Sequence, residues 1–157
     1  MISIFLPMLI HVGLSLTVLV LLALRRTGEI RAEPSLMDKI ALDSSHYSDD
    51  VKKLSNNFQN QFQLPVFFHI AGILALLFSV TGPIAGGFAW AFVLSRIAHT
   101  VVHTTSNKVQ VRFIFFFLGL LSLVGLWIAV ALGADESVWF RAAEWTVVET
   151  PPTHTAP

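Results

Sequence analysis

Three ionisable side chains stand close together near the end of an apolar segment, in the stretch SRIAHTVVHTTS. They are Arg96, His99 and His103, and their spacing predicts that they share one face of a helix. In a low-dielectric setting a guanidinium makes charge-assisted hydrogen bonds to a carboxylate, phosphate or thiolate. It also lowers the pKa of a nearby thiol. Because the chain has no cysteine, any thiol chemistry here needs a thiol supplied by a ligand.

Three other interpretations of these residues stay open. In one, Arg96 reaches to the membrane surface and the histidines hydrogen-bond nearby carbonyl groups. In another, His99 and His103 bind zinc, although no Asp or Glu lies in an apolar segment to complete the ligand set. In the third, His69 and His99 lie at similar depth on neighbouring helices and hold a haem. We favour the anion site, because ionisable residues within a span usually face the bundle interior and mark function.

Four amide side chains predict a polar face on the second span. They follow the helical spacing i, i+3, i+4 and i+7 and are Asn56, Gln59, Asn60 and Gln63. Amides both donate and accept hydrogen bonds. This face is therefore either a solvated surface where the helix enters the membrane or the polar wall of a binding site. Arg112, at the start of the fourth apolar segment, would join such a site across a short loop.

The composition is that of an integral membrane protein. Of 157 residues, 54% are hydrophobic and only 13% are charged, whereas about a quarter of residues are charged in soluble domains. Basic and acidic residues are equal in number, so there is no electrostatic case for nucleic acid binding. The absence of cysteine excludes disulfides and cysteine metal sites. The length suits one compact bundle.

Hydropathy predicts four membrane-spanning helices, at about residues 2–24, 61–81, 84–104 and 111–132. They form an all-α membrane domain over residues 1–135, with a loop at 25–48 and a flexible or interfacial tail at 136–157. The first apolar run is too long for a signal peptide core and lacks a preceding basic residue, so we expect a retained helix.

The distribution of basic residues predicts the orientation. Eight of them flank the connections between spans one and two and between spans three and four: Arg25, Arg26, Arg31, Lys39, Lys52, Lys53, Lys108 and Arg112. These connections should be cytoplasmic, which places both termini on the other side. We expect a multi-pass protein of a bacterial inner membrane.

The second helix should begin before the membrane. Ser48 is a typical capping residue, and Asp49 and Asp50 would occupy the first turn. An apolar series then steps by three or four residues through Val51, Leu54, Phe58 and Phe62. This pattern predicts a helix that starts in the aqueous phase and continues into the bilayer.

Three strings resemble the MAPEG family, the membrane-associated proteins in eicosanoid and glutathione metabolism. They are NQFQLP in the second span, RIAHTVVH in the third and KVQVR at the head of the fourth. The third-span string is most similar to that of the microsomal prostaglandin E synthases in this family. The resemblance implies a four-helix bundle assembled as a homotrimer, with glutathione bound as co-substrate between neighbouring subunits.

The resemblance also implies roles for individual residues. Arg112 would be the catalytic, thiolate-stabilising arginine. Asn60, Gln63, Arg96, His99, His103 and Lys108 would bind glutathione, and no metal is expected. Three positions depart from the family pattern: Gln63 stands in place of Glu, Asn56 in place of Arg and His103 in place of Tyr.

Two functions follow from this comparison as expectations. The first is a glutathione-dependent transferase or peroxidase that acts on a lipophilic electrophile entering from the bilayer. The second is a non-catalytic family member that binds a lipid or a protein partner in the same polar pocket.

Overall fold

The structure, a computed structural model, describes residues 4–134. Within that range all regular secondary structure is helical, and four helical segments are long and apolar enough to cross a membrane. The prediction of an all-α bundle with four spans is therefore confirmed. The tail predicted at 136–157 lies outside the described residues.

The first span is helix α1, Phe5–Ala32. Its buried residues follow one narrow face and are Pro7, His11, Val18 and Leu22. Most of its other large apolar side chains are exposed, as expected of a helix next to lipid. The helix extends beyond the predicted loop start at residue 25, because no proline occurs between that residue and Pro34.

The connection to the second span folds back against the bundle. It contains the short helix α2, Leu36–Ile40, and a 3-10 turn, Ser44–His46. A small apolar cluster holds it there, formed by Leu22, Leu36, Tyr47, Val51 and Leu54. Glu29 on α1 also accepts hydrogen bonds from the backbone N–H and the hydroxyl of Ser48. The end of α1 is thus tied to Ser48, the residue that precedes the second span.

The second span consists of two helices, α3 (Asp49–Asn60) and α4 (Leu64–Leu77). The predicted start is confirmed: the Ser48 hydroxyl accepts a hydrogen bond from the Val51 N–H at 3.4 Å. Residues 61–63 interrupt the span. Pro65 explains the break, because it has no N–H to donate to the carbonyl of Gln61 and it restricts the backbone before it.

The third and fourth spans are α5 (Pro83–Thr104) and α6 (Val109–Gly133), and they pack along each other. Two glycines on α6 permit this approach. A Cβ atom added to Gly119 would lie 2.8 Å from Ser95 Oγ, and one added to Gly125 would lie 2.6 Å from Phe88 Cζ. Both glycines therefore serve packing within the chain. Deeper in the core, Phe68 of α4 stacks on Phe92 of α5, with ring centroids 4.4 Å apart.

Candidate functional site

Arg96 is the most unusual residue in the interior. Its side chain is fully buried, and only Nη2 has a partner, the carbonyl oxygen of Asn60 at 3.1 Å. Its Nε and Nη1 atoms have no hydrogen-bond acceptor. Among residues 4–134 no Asp or Glu side chain is buried. The described part of the chain thus contains a buried cation without a carboxylate partner, which is costly unless an anion completes the site.

The two histidines of the same helical face are buried beside Arg96. His99 and His103 are each 2% exposed, and their rings meet edge to face with centroids 5.4 Å apart. His103 Nδ1 lies 3.4 Å from Asn57 Nδ2 and 3.5 Å from Asn60 Nδ2. Because both neighbours are amide donors, we assign His103 Nδ1 as the acceptor. His99 Nδ1 is buried without a partner.

Two buried amide side chains hydrogen-bond to this helical face, and neither belongs to the polar face that the sequence predicted on the second span. Asn57 and Gln61 are buried, and Gln61 Nε2 donates to Asn57 Oδ1 and to Thr100 Oγ1, each at 3.1 Å. Asn57 Nδ2 also lies 3.4 Å from Thr100 Oγ1. These bonds join the second span to the third and fix the acceptor atom of His103.

Arg112 faces the same region from the first turn of α6. It lines an open cavity of about 250 Å³ together with Asn60, His99, Val109, Phe113 and Phe116. Its Nη1 donates to the Oδ1 atom of Asn107 at 2.8 Å. Asn107 lies in the loop between α5 and α6 and has a positive φ of 48°, a conformation that Asn tolerates better than most residues.

The six residues predicted to bind glutathione occupy three different settings. Asn60 and His99 line the cavity itself. Arg96 and His103 are buried close to His99. Gln63 lies exposed at the break between α3 and α4, and Lys108 is exposed as the residue that precedes α6. Asn56 and Gln59 are exposed as well.

A second polar pair lies deeper in the membrane domain. His69 Nε2 lies 3.2 Å from His11 Nδ1, and the ring centroids are 5.2 Å apart. His69, which the sequence suggested together with His99 as a haem ligand pair, is thus engaged with the first span. Across residues 4–134 no group of three His, Asp or Glu side chains is placed to hold a metal ion.

The family comparison covers nearly the whole described chain. The model of the MAPEG family matches residues 4–132. The chain belongs to the MAPEG family. The match includes all four spans and every residue of the Arg112 cavity. No curated protein and no solved structure matches the chain. The MAPEG family includes glutathione-dependent transferases as well as non-catalytic members, so membership by itself leaves both expected functions open.

Proposed function

We propose that this MAPEG protein is a glutathione-dependent transferase or peroxidase that acts on a lipophilic electrophile. One observation carries the proposal: Arg112, His99 and Asn60 line a single cavity that contains no carboxylate, and Arg96 lies buried beside it without a counterion. Such a cavity favours an anionic ligand. The chain has no thiol of its own, so glutathione supplies the reacting group.

Arg112 is the proposed thiolate partner. It is half-buried, and its hydrogen bond to Asn107 holds the guanidinium at the cavity. A fixed positive charge in a partly desolvated site lowers the pKa of a bound thiol and raises the thiolate fraction at neutral pH. Asn60 and His99 supply hydrogen-bonding groups beside it. The gain in rate comes from thiolate stabilisation and positioning.

The remaining predicted residues form the outer part of the proposed site. Lys108 offers an exposed cation to a carboxylate of the tripeptide, and Gln63 offers an exposed amide. His103 contacts the amide groups of Asn57 and Asn60 through its Nδ1 atom. The similarity of the third-span motif to that of the microsomal prostaglandin E synthases rests on Arg96 and His99, with His103 as the departure.

The two chemical outcomes differ in what the thiolate attacks. In a transferase the sulfur forms a bond to an electrophilic carbon, and the leaving group departs with the electron pair of the bond that breaks. In a peroxidase two thiols are oxidised to a disulfide while a hydroperoxide is reduced to an alcohol and water. Both need an apolar substrate beside the thiolate, and the side chains of Val109, Phe113 and Phe116 supply an apolar wall.

A non-catalytic member that binds a lipid or protein partner in this pocket is the second candidate. It is favoured by Gln63, which provides a neutral amide where the family motif has a carboxylate. Without that carboxylate the site has weaker means of holding the glutathione amine. The two candidates share the bundle and the buried polar face and differ in whether a thiolate forms.

Glutathione binding and thiolate absorbance test the proposal. Protein purified in detergent should bind glutathione in the millimolar range and show the ultraviolet absorbance of a thiolate at neutral pH. Arg112→Ala should lose that absorbance, because the stabilising cation is gone. Arg25→Gln removes an exposed arginine outside the cavity and serves as the matched control. Failure of the wild-type protein to bind glutathione would eliminate the enzyme, and binding with a protonated thiol would favour the second candidate.

A further inference from the structure

A second polar cavity lies at the same end of the bundle as the Arg112 cavity and shares no residue with it. It has a volume of about 400 Å³ and lies between the end of α1, the connecting loop and α3. Its polar lining includes Arg26, Asp43, Tyr47, Lys52, Ser55 and Asn56, the last at a position where the family pattern has Arg. Neither of the two functions proposed above makes use of it.

Arg26 is held in place in this cavity but has unused donors. Its Nη2 donates to the Ser55 hydroxyl at 3.2 Å, and its guanidinium carbon lies 5.2 Å from the centre of the Tyr47 ring. Its Nε is buried without an acceptor. A guanidinium fixed by stacking and one hydrogen bond presents its remaining N–H groups to an anion in a defined orientation.

The charges of the cavity combine two cations with one anion. Arg26 and Lys52 are cationic, and Lys52 acts electrostatically on Asp43. The Asp43 carboxylate accepts hydrogen bonds from the Ser45 hydroxyl at 2.5 Å and the Ser45 N–H at 2.8 Å. These bonds lower the pKa of the Asp43 carboxyl below its ordinary value, so it stays ionised at neutral pH.

Two further charges lie close to this set. His46 Nε2 is 3.9 Å from Asp43 Oδ2, and the Lys52 ammonium lies 3.5 Å from Asp49 Oδ1. Both contacts are at exposed side chains and are weak. The lining therefore suits a ligand that places a negative group at Arg26 and Lys52 and a positive group near Asp43.

The position of the cavity relative to the membrane limits the class of ligand that it can bind. Arg26 follows the apolar run of α1 that ends at Leu24, and Ser55 lies on α3 before the break that precedes α4. From the hydropathy of the spans we expect these positions at the boundary between hydrocarbon and water, where lipid headgroups lie. We infer that this cavity binds a phosphate ester carrying a neighbouring ammonium group, as in the headgroup of an aminophospholipid such as phosphatidylethanolamine.

Native mass spectrometry of the full chain in detergent tests this inference. The protein is incubated with equal amounts of phosphatidylethanolamine and phosphatidylglycerol with matched acyl chains. Wild-type protein should retain phosphatidylethanolamine preferentially. Arg26→Gln and Lys52→Gln should weaken retention, the former by about tenfold, because a charge-assisted hydrogen bond to phosphate is lost. Asp43→Asn should remove the preference between the two lipids, because the partner of the ammonium group is gone.

Two matched variants control for a general effect of charge. Arg25→Gln removes the neighbouring arginine, which is exposed and does not line the cavity, and Lys53→Gln removes the neighbouring lysine, which pairs with Asp50. Both should retain the lipid as the wild-type protein does. Equal losses in the control and cavity variants would overturn the inference. If Arg26→Gln fails to fold, the exposed substitutions Lys52→Gln and Asp43→Asn decide the outcome.

A competition arm distinguishes a lipid from a soluble phosphate ester. Glycerophosphoethanolamine carries the same phosphate and ammonium groups without acyl chains. For a lipid site it should displace phosphatidylethanolamine only at large excess, because the acyl chains contribute to binding. Displacement at equal concentration would overturn the lipid source and assign the cavity to a soluble phosphate ester.

Discussion

At the scale of single residues, the sequence predicted one side of the buried polar face and missed the other. Arg96, His99 and His103 were identifiable because ionisable residues at helical spacing within a span are rare and usually turn inward. Asn57 and Gln61 were missed although they continue the series Val51 and Leu54 by three and four residues. The apolar stripe was instead continued through Phe58 and Phe62.

Sequence patterns also do not predict the hydrogen bond between Asn107 and Arg112. It depends on the positive φ of Asn107, which turns the loop so that the side chain of Asn107 reaches the guanidinium. No periodicity marks a loop residue of this kind. Its role follows from geometry alone: the Asn107 side chain orients Arg112 without lining the cavity itself.

Asn107→Gly should therefore weaken the proposed thiolate stabilisation while keeping the loop. Glycine adopts the same positive φ but removes the hydrogen bond to Arg112, so the guanidinium loses its fixed orientation. A charge-assisted hydrogen bond contributes about 1.5–3 kcal/mol. We expect the pKa of bound glutathione to rise and thiolate absorbance at neutral pH to fall, with glutathione still bound.

Two comparisons separate positioning from folding in this variant. Asn107→Asp keeps an acceptor for Arg112 but adds a negative charge, so it should retain the loop and also reduce the thiolate fraction. Ser106→Gly changes the neighbouring exposed loop residue and should leave the titration unchanged. A titration curve for Asn107→Gly that superimposes on the wild-type curve would show that the contact does not position Arg112.

At the scale of elements, hydropathy was sufficient for the number of spans but not for their interruptions. The second span divides into α3 and α4 at residues 61–63, at the start of the apolar run predicted from the sequence. Pro65 carries the signal for this break, since it leaves the Gln61 carbonyl without its helical donor. The first helix likewise extends to Ala32, beyond the apolar run that ends at Leu24, because a helix can continue through polar residues after it leaves the membrane.

The contact between α5 and α6 depends on Gly119. Gly119→Leu should destabilise the bundle by about 1–3 kcal/mol, because the new side chain has no space between the helices. Gly87→Leu is the matched control on α5, since a Cβ atom there meets nothing within 4 Å. The midpoint of unfolding in a mixed-micelle titration measures the difference. Equal midpoints for the two variants would contradict the packing described here.

At the scale of the whole molecule, composition and hydropathy predicted the fold class, and the family match supports the same architecture. The orientation stays a prediction, which a reporter fused after Pro157 would test. A single sequence contains no direct signal for partners, because exposed apolar side chains on a membrane protein face either lipid or another subunit. The size and open shape of the Arg112 cavity help to decide between lipid and another subunit as the neighbour of this surface.

That cavity is open and, at about 250 Å³, smaller than the roughly 300–1,000 Å³ typical of small-molecule sites. We therefore expect one chain to supply part of the proposed glutathione site and a neighbouring chain in a homotrimer to supply the rest. Native mass spectrometry in mild detergent should give a trimer that retains glutathione, whereas monomers released by harsher detergent should lose it. Monomers that bind glutathione as tightly as the assembly would mean that each chain holds a complete site.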